Sequence, residues 1–553
     1  MKLNYHNLLY VMIFLSLILA TSCRNSKKAA DEVFYNGVIY TVDSNFSIHS
    51  AFAVREGKII AIGSDDEMMQ MDAIRQTDLK GQPVYPGFHD GHCHFYGYGI
   101  DLNKIWLTET NSFEEVLELL IKNKEQKVGG WIFGRGWDQN KWTIKEYPDK
   151  TQLDSLFPDT PVFLLRVDGH AALANSKALQ LAGINENTLI NGGSIEKKNG
   201  VLTGILIDKA CDLVQEIIPD FSREEKKKAL INAQRDCFSK GITFVTDAGI
   251  ESSGLTVEIL NLIDSLHRTG DLEMRINAMG SVNEIDHYKK HGKIKTELLS
   301  VHGFKLYADG ALGSRGACLI SDYDDQKGHK GFLLYQPDYL DSIARLTSDI
   351  NFQLNTHCIG DSSHRLMLNI YKELIQDKPD HRWRIEHAQV IHPEDLNKYN
   401  GTGIIPSIQP VHATSDMYWA SDRVGSERIK GAYAYNDLLK TAGKVISGSD
   451  FPVENINPLH GFYAAVARKD QKGFPENGFQ TENKMSRENT LRSFTIWPAF
   501  GAFRENESGS LEVGKWADFI ILEKDIMKVE EQEIWNTQVL STYLKGKKVF
   551  HLE

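Results

Sequence analysis

The chain reads as an α/β protein: a (β/α)8 TIM-type barrel with a long insertion after its first strand, plus a small β-sandwich formed by the N- and C-terminal segments. Three observations predict this. Eight short apolar strands alternate with helix-length amphipathic stretches, which is the arithmetic of such a barrel. Polar residues gather at the C-terminal ends of those strands, where barrel active sites lie. Both ends of the chain carry short strands cut by Gly, Asn and Asp, and chain ends commonly meet in space.

Taken in order, Lys2 precedes an apolar run from Leu8 to Ala20, too short to span a bilayer as a mature helix but suited to the core of an export signal. The run closes in Ala20-Thr21-Ser22-Cys23, like a bacterial lipoprotein cleavage site. Cys23 would then be the lipidated first residue, with a plain secretory signal or a short anchor as the alternative. Residues 1–22 are accordingly read as signal and 23–32 as a polar tether. The expectation is a protein exported from the cytoplasm and lipid-anchored to a membrane, on the periplasmic or the cell-surface side.

Residues 33–83 alternate as one half of the sandwich, and 501–553, with Gly509 to Leu522 and Val539 to Phe550, as the other. Between them, residues 84–500 hold the barrel strands. These are Val84 to Phe88, Ile242 to Asp247, Met274 to Met279, Gly303 to Tyr307, Phe352 to His357, Arg384 to His387, Ile404 to Gln409 and Val445 to Asp450. The interval from about 100 to 237 is too long for a loop and has its own strand and helix texture, so it is expected to be an inserted lid or subdomain. Its Trp131, Trp137 and Trp142 are expected to pack the insertion.

With 553 residues, 41% hydrophobic and 25% charged, every part of the chain can build a core. A formal net charge of −12, with no basic tract longer than Lys226-Lys227-Lys228, argues against nucleic acid as a partner. The five cysteines after Cys23 lack a zinc, redox or disulfide spacing, and most of them read as small buried hydrophobes.

The chemistry begins at Pro86-Gly87-Phe88-His89-Asp90-Gly91-His92-Cys93-His94. In an extended strand His92 and His94 share a face and can chelate one metal ion, while Cys93 and His89 point the other way. Such a pair alone is more often two ordinary strand histidines than a metal site. Asp247, Lys305, His357, His387 and Asp450 stand in or at the ends of later strands, so the barrel would gather them on one face.

With these residues in view, the chain resembles the amidohydrolase superfamily of metal-dependent hydrolases, in the branch that includes N-substituted formamide deformylase. The resemblance runs from about Val33 to the C-terminus. It rests on Pro86 to His94, Lys305 to Arg315, His357, Glu386-His387, Gly448-Ser449-Asp450-Phe451-Pro452 and Gly514 to Asp518. Trp131 to Trp142 and Asp168 to Ser176 add insertion motifs of the branch. It implies a binuclear centre, with one metal on His92, His94 and Asp450 and the other on His357 and His387. Lys305, carrying CO2 as a carbamate, would bridge them; a salt-bridged barrel lysine is the alternative.

Zinc is the default ion, with iron, manganese or nickel open. The implied chemistry is attack by a metal-activated hydroxide on a non-peptide or simple amide C–N bond, with Asp450 as ligand and proton shuttle. His170 could donate to the carbonyl or be structural, and Asp309, Arg315 and His412 could shape the pocket, though Arg315 could instead bind a structural carboxylate. The expected partner is a small-molecule amide, with a homo-oligomer left open. The competing readings are a hydrolase of esters, cyclic amides or ureas, and a non-catalytic small-molecule-binding lipoprotein on the same barrel.

Overall fold

Eight parallel strands run in chain order around the centre of the protein. They are Phe88–Cys93, Ile242–Asp247, Arg275–Ser281, Leu299–Tyr307, Gln353–Cys358, Arg384–His387, Ile405–Ile408 and Ile446–Ser447, each paired with the next. The computed structural model describes residues 30–108, 110–139, 142–166, 171–190, 193–249, 254–313, 315–378 and 380–553. Cys23 and His170 lie outside the described residues. Among the described residues no helix is long and apolar enough to cross a membrane.

The eighth strand closes the barrel against the first. Asp450 N donates to His92 O at 2.8 Å and Ser449 N to the Asp90 carboxylate at 3.1 Å. This approach requires Gly91, where a Cβ would lie 2.7 Å from Ser447 O. The strands are buried along their length, as expected when helices cover a parallel sheet.

The first barrel strand sits later than the apolar pattern placed it. Pro83–Pro86 belongs to a six-stranded sheet, pairing parallel with Val38–Tyr40 and antiparallel with Phe519–Leu522. The barrel strand begins only at Phe88, after Gly87, whose missing side chain leaves room for Thr243. That sheet holds strands from both ends of the chain. It faces a four-stranded sheet of Ala30–Tyr35, Ala51–Arg55, Lys58–Gly63 and Ala73–Asp78 across an aromatic core.

In that core, Phe519 and Tyr543 stack at 4.3 Å and Phe34 and Phe52 at 5.0 Å. Each such buried ring contributes roughly 1.5–3 kcal/mol. Ala30–Tyr35 is already sheet, with Ala30, Val33 and Phe34 fully buried, so the tether expected through residue 32 ends sooner. A buried Arg275–Asp518 ion pair of 2.6 Å ties the terminal sheet to the barrel.

The insertion carries its own six-stranded sheet, from Ile105–Trp106 through Ile132–Trp137 to Val201–Asp208, with apolar clusters on both faces. Trp131, Trp137 and Trp142 are buried in those clusters. The insertion is shorter than the interval expected for it, because helix Arg223–Ser239 packs on helix Phe95–Asp101 in the barrel wall. Gly99 permits that approach, its absent Cβ being 2.5 Å from Ala229 O. Lys226 of the basic triplet is buried there between Asp220 and Glu258, while Lys228 is exposed.

Several buried imidazoles make the fold acid-sensitive, and His302 is one of them. Burial, then Lys293 and Arg504, push His302 down to about 3, and its ring lies 5.1 Å from that of Phe503. The unfolded chain protonates this imidazole below about 6.5 while the fold holds it neutral. Stability is therefore intact above that pH and falls as pH drops toward 3, by ~2 kcal/mol at pH 5. His302→Phe is expected to flatten the fall of melting temperature between pH 7 and 5; an unchanged slope would refute the assignment.

Candidate metal centre

His92 and His94 leave the first barrel strand on one face. His92 is fully buried, and His94 starts helix Phe95–Asp101. Both reach the same oxygen of Asp450, with Nε2–Oδ1 distances of 3.5 and 3.2 Å. The other carboxylate oxygen lies 4.0 Å from His387 Nδ1 and 3.8 Å from His412 Nε2. Asp450 thus stands between two groups, His92–His94 and His387–His412, and each trio's ligand atoms fall within 4.8 Å of one another.

Lys305 Nζ lies 3.2 Å from His92 Nε2, and the His357 ring is 4.4 Å from that of His387. All six residues expected as ligands therefore meet on one face of the barrel. His357 stands just outside both trios, and His412, expected only as a pocket residue, stands inside one. His89 turns to the barrel wall, bonding Thr246 Oγ1 at 2.9 Å and stacking on Phe244.

Two backbone positions are strained here. His387 (φ 70°) and Asp450 (φ 62°) adopt the left-handed region, which costs a non-glycine residue about 1 kcal/mol or more. At the end of the eighth strand this turn takes Asp450 out of the ladder and over the barrel mouth. Asp90 holds the turn, accepting from Ser449 N and, at 2.6 Å, from Ser449 Oγ. Burial pushes Asp90 up to about 7 against these bonds.

Glu386 orients His92. Its carboxylate contacts His92 Nδ1 and is clasped by Arg384 Nε and Nη2 at 2.6 and 2.9 Å, all three side chains being fully buried. His94 Nδ1 donates to Gly249 O at 2.8 Å, and His387 Nδ1 meets Gln409 Oε1 at 2.8 Å. Such partners fix which ring nitrogen faces a metal. Sequence reasoning gave Glu386 and Arg384 no role. Their signal was a pair of opposite charges two apart on one face of a barrel strand.

The protonation states suit a cation. Burial drives His92 down to about 4 and His357 to about 3, and it pushes His387 well below the usual imidazole range. Burial also lowers His94, but its contact with Asp450 outweighs this and raises it. Asp450, despite burial, is held well below the carboxylate range by His94, His92 and His387. Glu386 is likewise held down by Arg384 and His92. Burial lowers Lys305 to about 8.

Neutral imidazoles around ionised carboxylates are the forms that bind metal. Moreover, His357 Nε2 and His412 Nε2 are buried without a hydrogen-bond partner. Buried polar atoms are rarely left so. A divalent ion fits this donor set.

Two residues expected to shape the pocket do not reach it, although Asp309 Oδ1 lies 3.8 Å from His357 Nε2. Asp309 is fully buried, accepting from Ile359 N, Gly360 N and Cys318 N at 3.0, 2.8 and 2.9 Å and from Ser363 Oγ at 2.7 Å, so it stitches loops together. Arg315 pairs with Asp325 at 2.7 Å, a carboxylate shared with Arg423. Neither lines the cavity of about 730 Å³ above the centre. Tyr307, Leu312, His412, Trp419 and Val453 line it from the barrel side, and Arg135 comes from the insertion.

A bound metal among such donors activates water, and this fold and site define a metal-dependent hydrolase. The chain belongs to the amidohydrolase family, whose match spans residues 75–550. The protein LONG AFTER FAR-RED 3 of Arabidopsis thaliana is 31% identical over 94% of this chain and 92% of its own length. N-substituted formamide deformylase of Arthrobacter pascens is 26% identical over 93% of this chain and 97% of its own. The crystal structure of an uncharacterized metal-dependent hydrolase from Pyrococcus horikoshii OT3 superposes with a TM-score of 0.76 at 28% identity, covering 90% of this chain and 99% of that one.

If Glu386 anchors His92, Glu386→Gln is expected to weaken metal affinity by about 10–100-fold, read by competition with a chelator. Unaltered affinity would reduce Glu386 to a packing role.

Proposed function

We propose that the protein hydrolyses a simple, non-peptide amide C–N bond at a binuclear centre. His92, His94 and Asp450 would hold one ion and His357 and His387 the other, with His412 in reach. Zinc is the default, and Lys305 as its carbamate would contribute an anionic oxygen ligand. When bound, such ions lower the pKa of water toward 7 and polarise a carbonyl. Asp450, reaching both histidine groups through opposite oxygens, accepts the proton of the attacking water and passes it to the leaving nitrogen. Tyr307, Leu312 and Trp419 line the cavity and exclude water around the amide.

The observation that carries this reading is the placement of Asp450 between two histidine groups, His92 and His94 at one carboxylate oxygen and His387 and His412 at the other. The bond type is supported by the relative named as a formamide deformylase. Metal analysis of the purified protein, with hydrolysis of a panel of formamides and N-acyl amines, tests it. Bound zinc and chelator-sensitive amide cleavage are expected. Cleavage of esters or ureas alone would move the bond type, and a metal-free, inactive protein would overturn the reading.

A further inference from the structure

One wall of the cavity comes from the insertion, through strand Ile132–Trp137 with its Gly134-Arg135-Gly136 sequence. The two glycines are there for space. A Cβ at Gly134 would lie 2.9 Å from the Leu164 side chain, and one at Gly136, where φ is +104°, 2.5 Å from that of Thr108. The ladder with Val162–Arg166 shifts register between Arg135 and Trp137, and Leu107 N pins Arg135 O at 2.8 Å. A bulge of this kind re-aims a side chain. Here it presents Arg135 to the cavity that also holds His94, His387 and Asp450.

The half-buried Arg135 guanidinium has no ion pair or side-chain hydrogen bond among the described residues. Its neighbours differ. Lys104, the other cation the insertion sets at the cavity, is neutralised by Asp101 at 2.6 Å, and Arg166 on the adjacent strand pairs with Asp138 at 2.5 Å. The cavity's barrel-side carboxylates have donors of their own: Asp416 accepts from Tyr433 Oη at 2.8 Å and Glu454 from Ser415 Oγ at 2.6 Å. The net charge of −12 is screened beyond about 8 Å at physiological salt, so the local cation decides what binds beside it.

We propose that Arg135 docks a carboxylate of the substrate, so that the amides cleaved at this centre are acidic N-acyl compounds; this rests on the hydrolase reading above. A guanidinium fork matches a carboxylate with two parallel hydrogen bonds, and a cavity of about 730 Å³ holds a molecule long enough to carry both groups.

N-formylphenylalanine and N-formyl-2-phenylethylamine differ only by that carboxylate. For the zinc-loaded wild type, the kcat/KM ratio of acid to neutral amide is expected to favour the acid. In Arg135→Gln that ratio should fall by about 10–100-fold, mostly through KM, with part restored in Arg135→Lys. Equal losses on both amides, or a wild-type preference that survives Arg135→Gln, would overturn the proposal. Should neither amide turn over, it is the amide reading of the bond type that fails. Calorimetric titration of the same two compounds then decides on Arg135, because acid-selective binding lost in Arg135→Gln sustains it and binding without that selectivity overturns it.

Discussion

Asp450→Asn is expected to lower kcat/KM on a cleaved amide by about 10²–10⁴-fold, the usual contribution of a positioned general base. The substitution is a clean one. Asparagine has nearly the shape of aspartate and tolerates the left-handed backbone found at this position, where φ is 62°. The turn and its Asp90–Ser449 bonds should therefore survive, and the loss will be chemical. What disappears is the negative charge beside His94 and His92 and a carboxylate able to carry a proton from water to nitrogen. Activity assayed alongside metal content separates the two contributions: metal largely retained with turnover gone identifies the proton carrier, whereas metal lost in proportion identifies a ligand only. A variant within tenfold of wild type on both counts would remove Asp450 from the centre.

Much of the barrel was legible because its later strands are buried on both faces and read as short apolar runs. The first was not. Val84 and Tyr85 look like a barrel strand, yet Pro83 and Pro86 flank them, and the run joins the terminal sheet instead. The true strand, Phe88–Cys93, is rich in His, Asp and Gly, so it looks polar until the cations and partners it faces are known.

The site divides the same way. His92 and His94 followed from strand parity, and Lys305, His357, His387 and Asp450 from their place near strand ends. Burial of charge leaves no mark in a sequence. Glu386 and Arg384 are fully enclosed yet have the composition of a surface pair. Asp309 and Arg315, in a polar Gly-rich loop, look like substrate contacts until backbone amides and Asp325 are seen to satisfy them. His412 is the pocket residue that does arrive, carried by helix Pro410–Asp416 to within 3.8 Å of Asp450.

Lys305→Ala gives the second large effect, and its sign distinguishes two roles for the lysine. In the folded chain Lys305 Nζ stands 3.2 Å from His92 Nε2, over the Tyr307 ring and close to where an ion would sit. An ammonium in that place repels a divalent cation, so removing it would strengthen metal binding. A carbamate works the other way. The neutral amine attacks CO2, releases one N–H proton and becomes an anionic oxygen ligand, so removing it takes a donor from the centre. The carbamate role predicts that Lys305→Ala loses metal and at least about 10²-fold in activity, with partial recovery on adding formate, acetate or propionate in the space left by the side chain. Higher metal loading in the variant, or no response to added carboxylate, would mean that Lys305 is a cation held by Glu386 and Asp450, whose charges oppose the lowering of its pKa by burial.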